Sequence, residues 1–162
     1  MRNSAIVASL MALLLIGCGS DMVVGDMRTM DGSWDKNQIV EFTLPELDSL
    51  QAYDIFLHLR NTEEYPYNNL FVIASIEFPH GRTIKDTLEY RMAQPDGTWL
   101  GTGIGSVKES KLWYKEGVRF FEPGSYRLRI EHAMRNNGDV QGVNSLPGIT
   151  ELGYSIMKSP EH

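Results

Sequence analysis

Four histidines, one cysteine and the adjacent pair Glu63-Glu64 are the side chains here best suited to acid–base, nucleophilic or metal chemistry. Their arrangement supplies little of it. His58, His80, His132 and His162 do not recur at the short intervals that bring two imidazoles onto one metal ion. His80 lies among the turn residues Pro79 and Gly81, and His162 ends the chain. His132 falls on the inward parity of an alternating segment, which reads as a hydrogen-bonded histidine at the rim of a core. No Gly-x-Ser-x-Gly elbow presents a nucleophile. Glu63-Glu64 sits in a loop-like stretch where paired carboxylates are solvated. Gly101-Thr102-Gly103-Ile104-Gly105 is glycine-rich, but its spacing is not a dinucleotide fingerprint, no helical period follows, and no Lys-Ser or Lys-Thr closes it. It reads as a bulged loop. The residues therefore predict no catalytic site, no metal and no cofactor, and a protein that is not an enzyme.

The cysteine has a different chemistry. Arg2 precedes an apolar run over residues 5–16, shorter than the roughly 20 residues that span a bilayer. This is the layout of a secretory signal peptide. The run ends in Leu15-Ile16-Gly17-Cys18, which resembles a bacterial lipobox. Such a signal is cut before the cysteine, whose sulfur carries diacylglycerol, and two acyl chains suffice for stable anchoring. Cys18 is thus the expected lipidation site, and no thiol remains for a disulfide. Gly19 and Ser20 follow the cysteine, without the acidic residue that resembles an inner-membrane retention signal. The expected location is the cell envelope, anchored in the outer membrane and facing the periplasm.

A formal charge of −6, one unit more negative once Arg2 leaves with the signal, lacks the basic footprint of a nucleic-acid binder. The aromatic side chains offer binding instead. Tyr65, Tyr67, Trp99, Trp113 and Tyr114 lie in loop-like stretches or at strand ends, where exposed rings serve as protein hot spots or stack on sugars. Trp113 and Tyr114 are adjacent, so alternation turns at least one of them outward. Trp34 reads as a ring that pins the preceding tether to the domain.

Positioning these side chains falls to strands. Gln38 to Leu44 alternates with Val40, Phe42 and Leu44 on one side, and Pro45 ends it. Tyr53 to Arg60 turns Tyr53, Ile55, Leu57 and Leu59 inward, while Phe56 interrupts its polar face. Leu70 to Phe78 is apolar on both faces near its start, as in a strand covered twice or one meeting a partner. After a turn at Pro79-His80-Gly81, Thr83 to Met92 alternates with Asp86 on the apolar parity. A carboxylate there must be hydrogen-bonded or sit at a bulge. Asp96-Gly97 and Pro123-Gly124 mark further turns, and residues 106–115 are ambiguous between strand and loop. Ser125 to Met134 and Ile149 to Met157 complete the set, the latter with Leu152, Tyr154 and Ile156 inward. Gly124-x-Tyr126-x-Leu128 resembles the lead-in to a late strand of immunoglobulin-like sandwiches, where a tyrosine caps the corner. The expectation is an all-β, two-layer antiparallel sandwich of 7–8 strands, jelly-roll or immunoglobulin-like. Its organisation reads as signal peptide 1–17, lipidated tether 18–37, sandwich 38–158 and flexible tail 159–162.

Taken in order, Trp34, Leu59-Arg60-Asn61, Tyr65-Pro66-Tyr67-Asn68-Asn69-Leu70-Phe71, Asp86-Thr87-Leu88, Trp99-Leu100-Gly101, His132-Ala133-Met134-Arg135 and Gly148-Ile149 resemble the gliding-motility lipoprotein family GldH of Bacteroidota, as does the lipobox cysteine. The resemblance runs over almost all of the mature chain. It implies an envelope lipoprotein linked to gliding and to the secretion system coupled to it, with other envelope lipoproteins of that machinery as partners. It carries over no catalytic residue and only one modified position, Cys18. It also favours reading Asp86 and Thr87 as a structural polar network. The rival expectation is a carbohydrate-binding sandwich, which two coplanar exposed aromatics would favour. Aromatics buried under loops would favour the machine subunit.

Overall fold

The computed structural model describes residues 22–160, so Cys18 and the signal segment lie outside the described residues. Ten strands follow in order: β1 (Met22–Thr29), β2 (Ser33–Asp35), β3 (Val40–Leu44), β4 (Tyr53–Asn61), β5 (Asn69–Glu77), β6 (Thr83–Arg91), β7 (Lys108–Val118), β8 (Tyr126–His132), β9 (Ser145–Pro147) and β10 (Ile149–Lys158). Eight of them build two four-stranded sheets, ordered β1-β10-β4-β7 and β3-β8-β5-β6, and β2 pairs with β9 beside them. All the pairings are antiparallel. Counted through the eight main strands, the orders are 1-8-3-6 and 2-7-4-5. This double Greek-key arrangement is the jelly roll, and it settles the strand order in favour of that topology over the immunoglobulin-like one.

Period-two alternation builds the core. Ile55, Leu57 and Leu59 of β4, Leu152, Tyr154 and Ile156 of β10, and Leu112 and Tyr114 of β7 point from one sheet. Val40, Phe42 and Leu44 of β3, Leu70, Val72, Ala74 and Ile76 of β5, and Tyr126, Leu128 and Ile130 of β8 meet them from the other. The outer face of the second sheet is laced with cross-strand ion pairs: Arg129 with Glu41 and Glu77, Arg127 with Glu77, and Lys85 with Glu131. Exposed pairs of this kind contribute little each, and their main effect is to disfavour other registers. Phe71 and Ile73 share that face half-buried, which accounts for the apolar run at the start of β5.

The expected tether is corrected from Met22 onward. β1 is an edge strand against β10, and β2 carries Trp34 into the core, fully buried. The sequence does not mark this strand, because Asp26 and Arg28 occupy one parity and Gly25 interrupts the other, as an edge strand with a solvated face allows. Trp34 itself acts as expected: its ring is buried and its indole N–H donates to the Gln38 carbonyl at 2.9 Å. At the other end, Ser159 is tied down through a backbone bond to Ala52 and a hydroxyl bond to Asp54, a correction to its expected place in a flexible tail. Tyr126 forms the expected corner, its hydroxyl accepting from the backbone N–H of Glu122 at 2.9 Å.

His132 is buried as expected but differs in its bonding. Neither ring nitrogen has a hydrogen-bond partner among the described residues, and the ring packs edge-on against Trp34 at 5.3 Å. Burial holds its pKa below the ordinary 6.5, while the Trp34 backbone and the nearby Asp35 and Glu131 pull the other way. The unfolded chain therefore binds a proton that the folded chain resists. Stability from this group is complete above about pH 6.5 and falls as the pH drops through and below that value. Denaturant melts of wild type and His132→Phe between pH 7.5 and 5 should show a steeper acid loss in the wild type. Parallel curves would mean that the imidazole titrates freely in the fold.

Candidate interaction surfaces

The five aromatic candidates do not form one surface. Tyr65, Tyr67 and Trp99 gather at one end of the sandwich, which also holds the loops before β7 and after β8. Tyr65 is only 2% exposed, and its hydroxyl donates to the Asn69 carbonyl at 2.8 Å. Burial, with Tyr67 adding a smaller contribution, raises its pKa far above the ordinary tyrosine value. Its centroid lies 5.6 Å from Tyr67 and 6.2 Å from Trp99, the latter inclined at 40°. Tyr67 is half-buried and donates to Asn136 at 3.0 Å. Trp99 is half-buried too, held by a bridge to Ala93 across the Asp96-Gly97 turn. Tyr65 is thus a core residue beneath this end, a correction to its expected place on a surface. The loop that carries it folds back over the core.

Trp113 and Tyr114 separate to opposite faces of β7. Tyr114 points between the sheets and is buried, so it too is corrected from surface to core. Its hydroxyl donates to Asp86 at 3.3 Å, and burial chiefly, with Asp86 next, raises its pKa well beyond the usual range. Asp86 also pairs with Lys115 at 2.9 Å. The Asp86 network therefore exists, but its partners are Tyr114 and Lys115. Thr87 is exposed on the other face of β6 and takes no part. The carboxylate is tolerated on the apolar parity because β6 is a sheet edge, which leaves Asp86 half-exposed. Nearby, Tyr90 donates to the Trp113 carbonyl at 2.6 Å, and burial raises its pKa to about 12.

Trp113 remains on the surface, 48% exposed on the outer face of the first sheet. It stands directly opposite Phe56 in the β4–β7 register, edge-on at 4.7 Å and 86°. Phe56 is itself buried, and the Lys111 ammonium lies 4.0 Å from its ring centroid. The same face continues into a polar cluster. Arg60 bridges Glu109, at 2.8 Å, and Glu151, while His58 lies between Glu109, at 3.2 Å, and the Ser155 hydroxyl, at 2.8 Å. The Arg60 hydrogen bond holds the Glu109 carboxyl below the ordinary carboxylate range. Local pattern alone does not single out Phe56 and Lys111. Their signal in the sequence is the apolar residue that breaks the polar face of β4.

Among the described residues no three His, Cys, Asp or Glu side chains gather as a metal site, and no helix is long and apolar enough to cross a membrane. The fold and its surface define a jelly-roll β-sandwich with an aromatic patch on one sheet face and half-buried aromatics at one end. The profile of the GldH lipoprotein family matches residues 22–156, and the chain belongs to that family. It is thereby a lipoprotein, a lipid-anchored protein of the envelope. It is 48% identical over 147 residues to the gliding motility lipoprotein GldH homolog of Christiangramia forsetii, covering 91% of this chain and 90% of that one. It is 46% identical over 156 residues to the gliding motility lipoprotein GldH of Flavobacterium johnsoniae, covering 96% of each. Among solved structures, the infectious bursal disease virus VP2 subviral particle aligns with 86% of this chain and 34% of that chain, at 16% identity and a TM-score of 0.34. A likeness that slight bears on nothing further.

Proposed function

We propose that this lipoprotein is a non-catalytic structural or assembly subunit of the gliding-motility machinery and its associated secretion system. In this reading lipid on Cys18 holds it in the outer membrane, facing the periplasm, where it binds other envelope lipoproteins of that machinery. The observation that carries the proposal is the Trp113–Phe56–Lys111 patch. A tryptophan held by a buried ring on a rigid sheet is the composition and geometry of a protein–protein hot spot. The arrangement of the aromatics also supports this reading over its rival. Two coplanar exposed rings would favour sugar binding. Here Tyr65 and Tyr114 are buried, Trp99 is half-buried and inclined to Tyr65, and Trp113 meets Phe56 edge-on.

The test is mild cross-linking and recovery of the tagged, lipidated protein from its own membranes, beside Cys18→Ala and Trp113→Ala. Trp113→Ala should lose most of the motility and secretion lipoproteins recovered with the wild type. Its unfolding free energy should fall by only about 1 kcal/mol, the loss of the edge-on contact with Phe56, well short of the loss of a core aromatic. Undiminished recovery would remove the patch from the interface. Loss of binding to a glycan array, with no protein partner in either sample, would return the function to the carbohydrate reading.

A further inference from the structure

The strand directions fix which end of the sandwich lies nearest the anchor. β1 begins at Met22, which pairs with Met157 near the end of β10. Lys158 pairs with Tyr53 at the start of β4, and Tyr53 pairs with Val118 at the end of β7. Phe120 packs against Tyr53 at 6.0 Å and edge-on against Tyr126 at 4.9 Å, and Phe78, just past β5, meets Tyr126 at 5.1 Å, so the loops before β4, between β5 and β6, and before β8 share this end. The aromatic end with Tyr67 and Trp99 is the opposite one. Cys18 precedes Met22 by four positions, and four extended residues reach only about 14 Å. A lipid on Cys18 would therefore keep this end against the bilayer.

Its surface suits that place. Leu50 and Phe121 stand at the tips of their loops, 81% and 70% exposed. The Arg119 guanidinium donates to the Leu50 carbonyl at 3.1 Å and so ties the two tips together. Asp48 accepts from the Leu50 N–H at 2.9 Å, which fixes the first tip further. Between the sheets, an apolar recess of about 280 Å³ opens among Phe78, Ile84, Val118 and Phe121. Arg82 and Arg119 flank it, with Glu122 engaged by His80 at 3.2 Å and by Arg82 at 3.8 Å. Exposed rings and aliphatic tips beside arginines match the apolar and phosphate layers of a membrane interface.

We infer that this end docks on the membrane that holds the anchor, with Leu50 and Phe121 entering the headgroup layer and Arg82 and Arg119 facing lipid phosphates. The strands then stand up from the surface and carry the Tyr67–Trp99 end away from it. The inference rests on the reading that Cys18 carries the lipid.

Because acylation occupies Cys18, a single cysteine introduced elsewhere is the only free thiol. The lipidated protein would carry Leu50→Cys, Phe121→Cys, Ile104→Cys or Val140→Cys, each labelled with an environment-sensitive fluorophore. Each would be placed in vesicles of phosphatidylethanolamine and phosphatidylglycerol containing a lipid-borne quencher. Ile104 and Val140 are loop positions at the far end, more exposed still than Leu50 and Phe121, so all four substitutions leave the core untouched. Labels at 50 and 121 should be quenched several-fold more than those at 104 and 140. Equal quenching at the four positions, in protein that floats with the vesicles, overturns the docking while leaving the lipid intact. Mass spectrometry that finds no acyl chains on the peptide bearing Cys18 overturns the lipid reading on which the docking rests.

Discussion

Trp34→Ala should destabilise the protein by about 3–5 kcal/mol, the cost of deleting a fully buried large aromatic. For a domain of this size that corresponds to a fall of roughly 10–17 °C in Tm. Trp34 is fully buried on β2, three residues long and paired only with β9, across from Leu146. So short a two-stranded ribbon is not stable by itself. Its place is secured by the indole ring against His132 and by the N–H bond to Gln38. Truncation opens a cavity and leaves the Gln38 carbonyl without that donor. Trp34→Phe keeps the ring and loses the bond, and should fall between wild type and alanine. Chemical denaturation of the three proteins measures the order. A loss below about 1 kcal/mol in the alanine variant would mean that β2 contributes little to the sandwich.

Gly148→Ala should be as severe, for a reason of backbone geometry. Gly148 has φ +78°, and an added Cβ would lie 2.4 Å from the Tyr65 nitrogen and 2.9 Å from the Glu64 carbonyl carbon. Both are backbone atoms and cannot swing aside. The residue also joins three segments: its N–H donates to Gly32 and its carbonyl accepts from Thr62, each at 2.8 Å. The left-handed conformation alone costs about 1 kcal/mol for a non-glycine residue, and displacing the 62–65 backbone adds to it. Gly138→Ala provides the control, since Gly138 has φ +86° but nothing near the added Cβ. It should lose only the conformational part, about 1 kcal/mol, against about 3 kcal/mol or more for Gly148→Ala. Equal losses would show that the contact with Tyr65 relaxes without cost.

The strands that alternate were legible because one of their faces is dry. β4, β8 and β10 could be read residue by residue, and Phe56 already marked the outer patch. β1 was not legible: an edge strand with a solvated face needs no apolar period. Tyr65 shows a second limit. Its burial comes from a loop folding back over the core and contacting Gly148, more than 80 positions away in sequence. Nothing local encodes such a contact. Parity alone said that one of Trp113 and Tyr114 faces out. Only the β4–β7 register, with Trp113 opposite Phe56, decided which. Asp86 was assigned the correct parity, but its partners come from β7, which the sequence does not place beside β6.

The strand order also sets when this protein can fold. In the β1-β10-β4-β7 sheet no two neighbours are consecutive in sequence, and in the other sheet only β5 and β6 are. β1 must wait for β10, the last strand of the chain, before it has a partner. Pairings so distant close large loops before they are rewarded, which makes folding slow. An emerging chain therefore has one local hairpin and little else to commit to, and stays threadable until its final strand is free. In a chain exported extended, slow closure would be an advantage built into the topology.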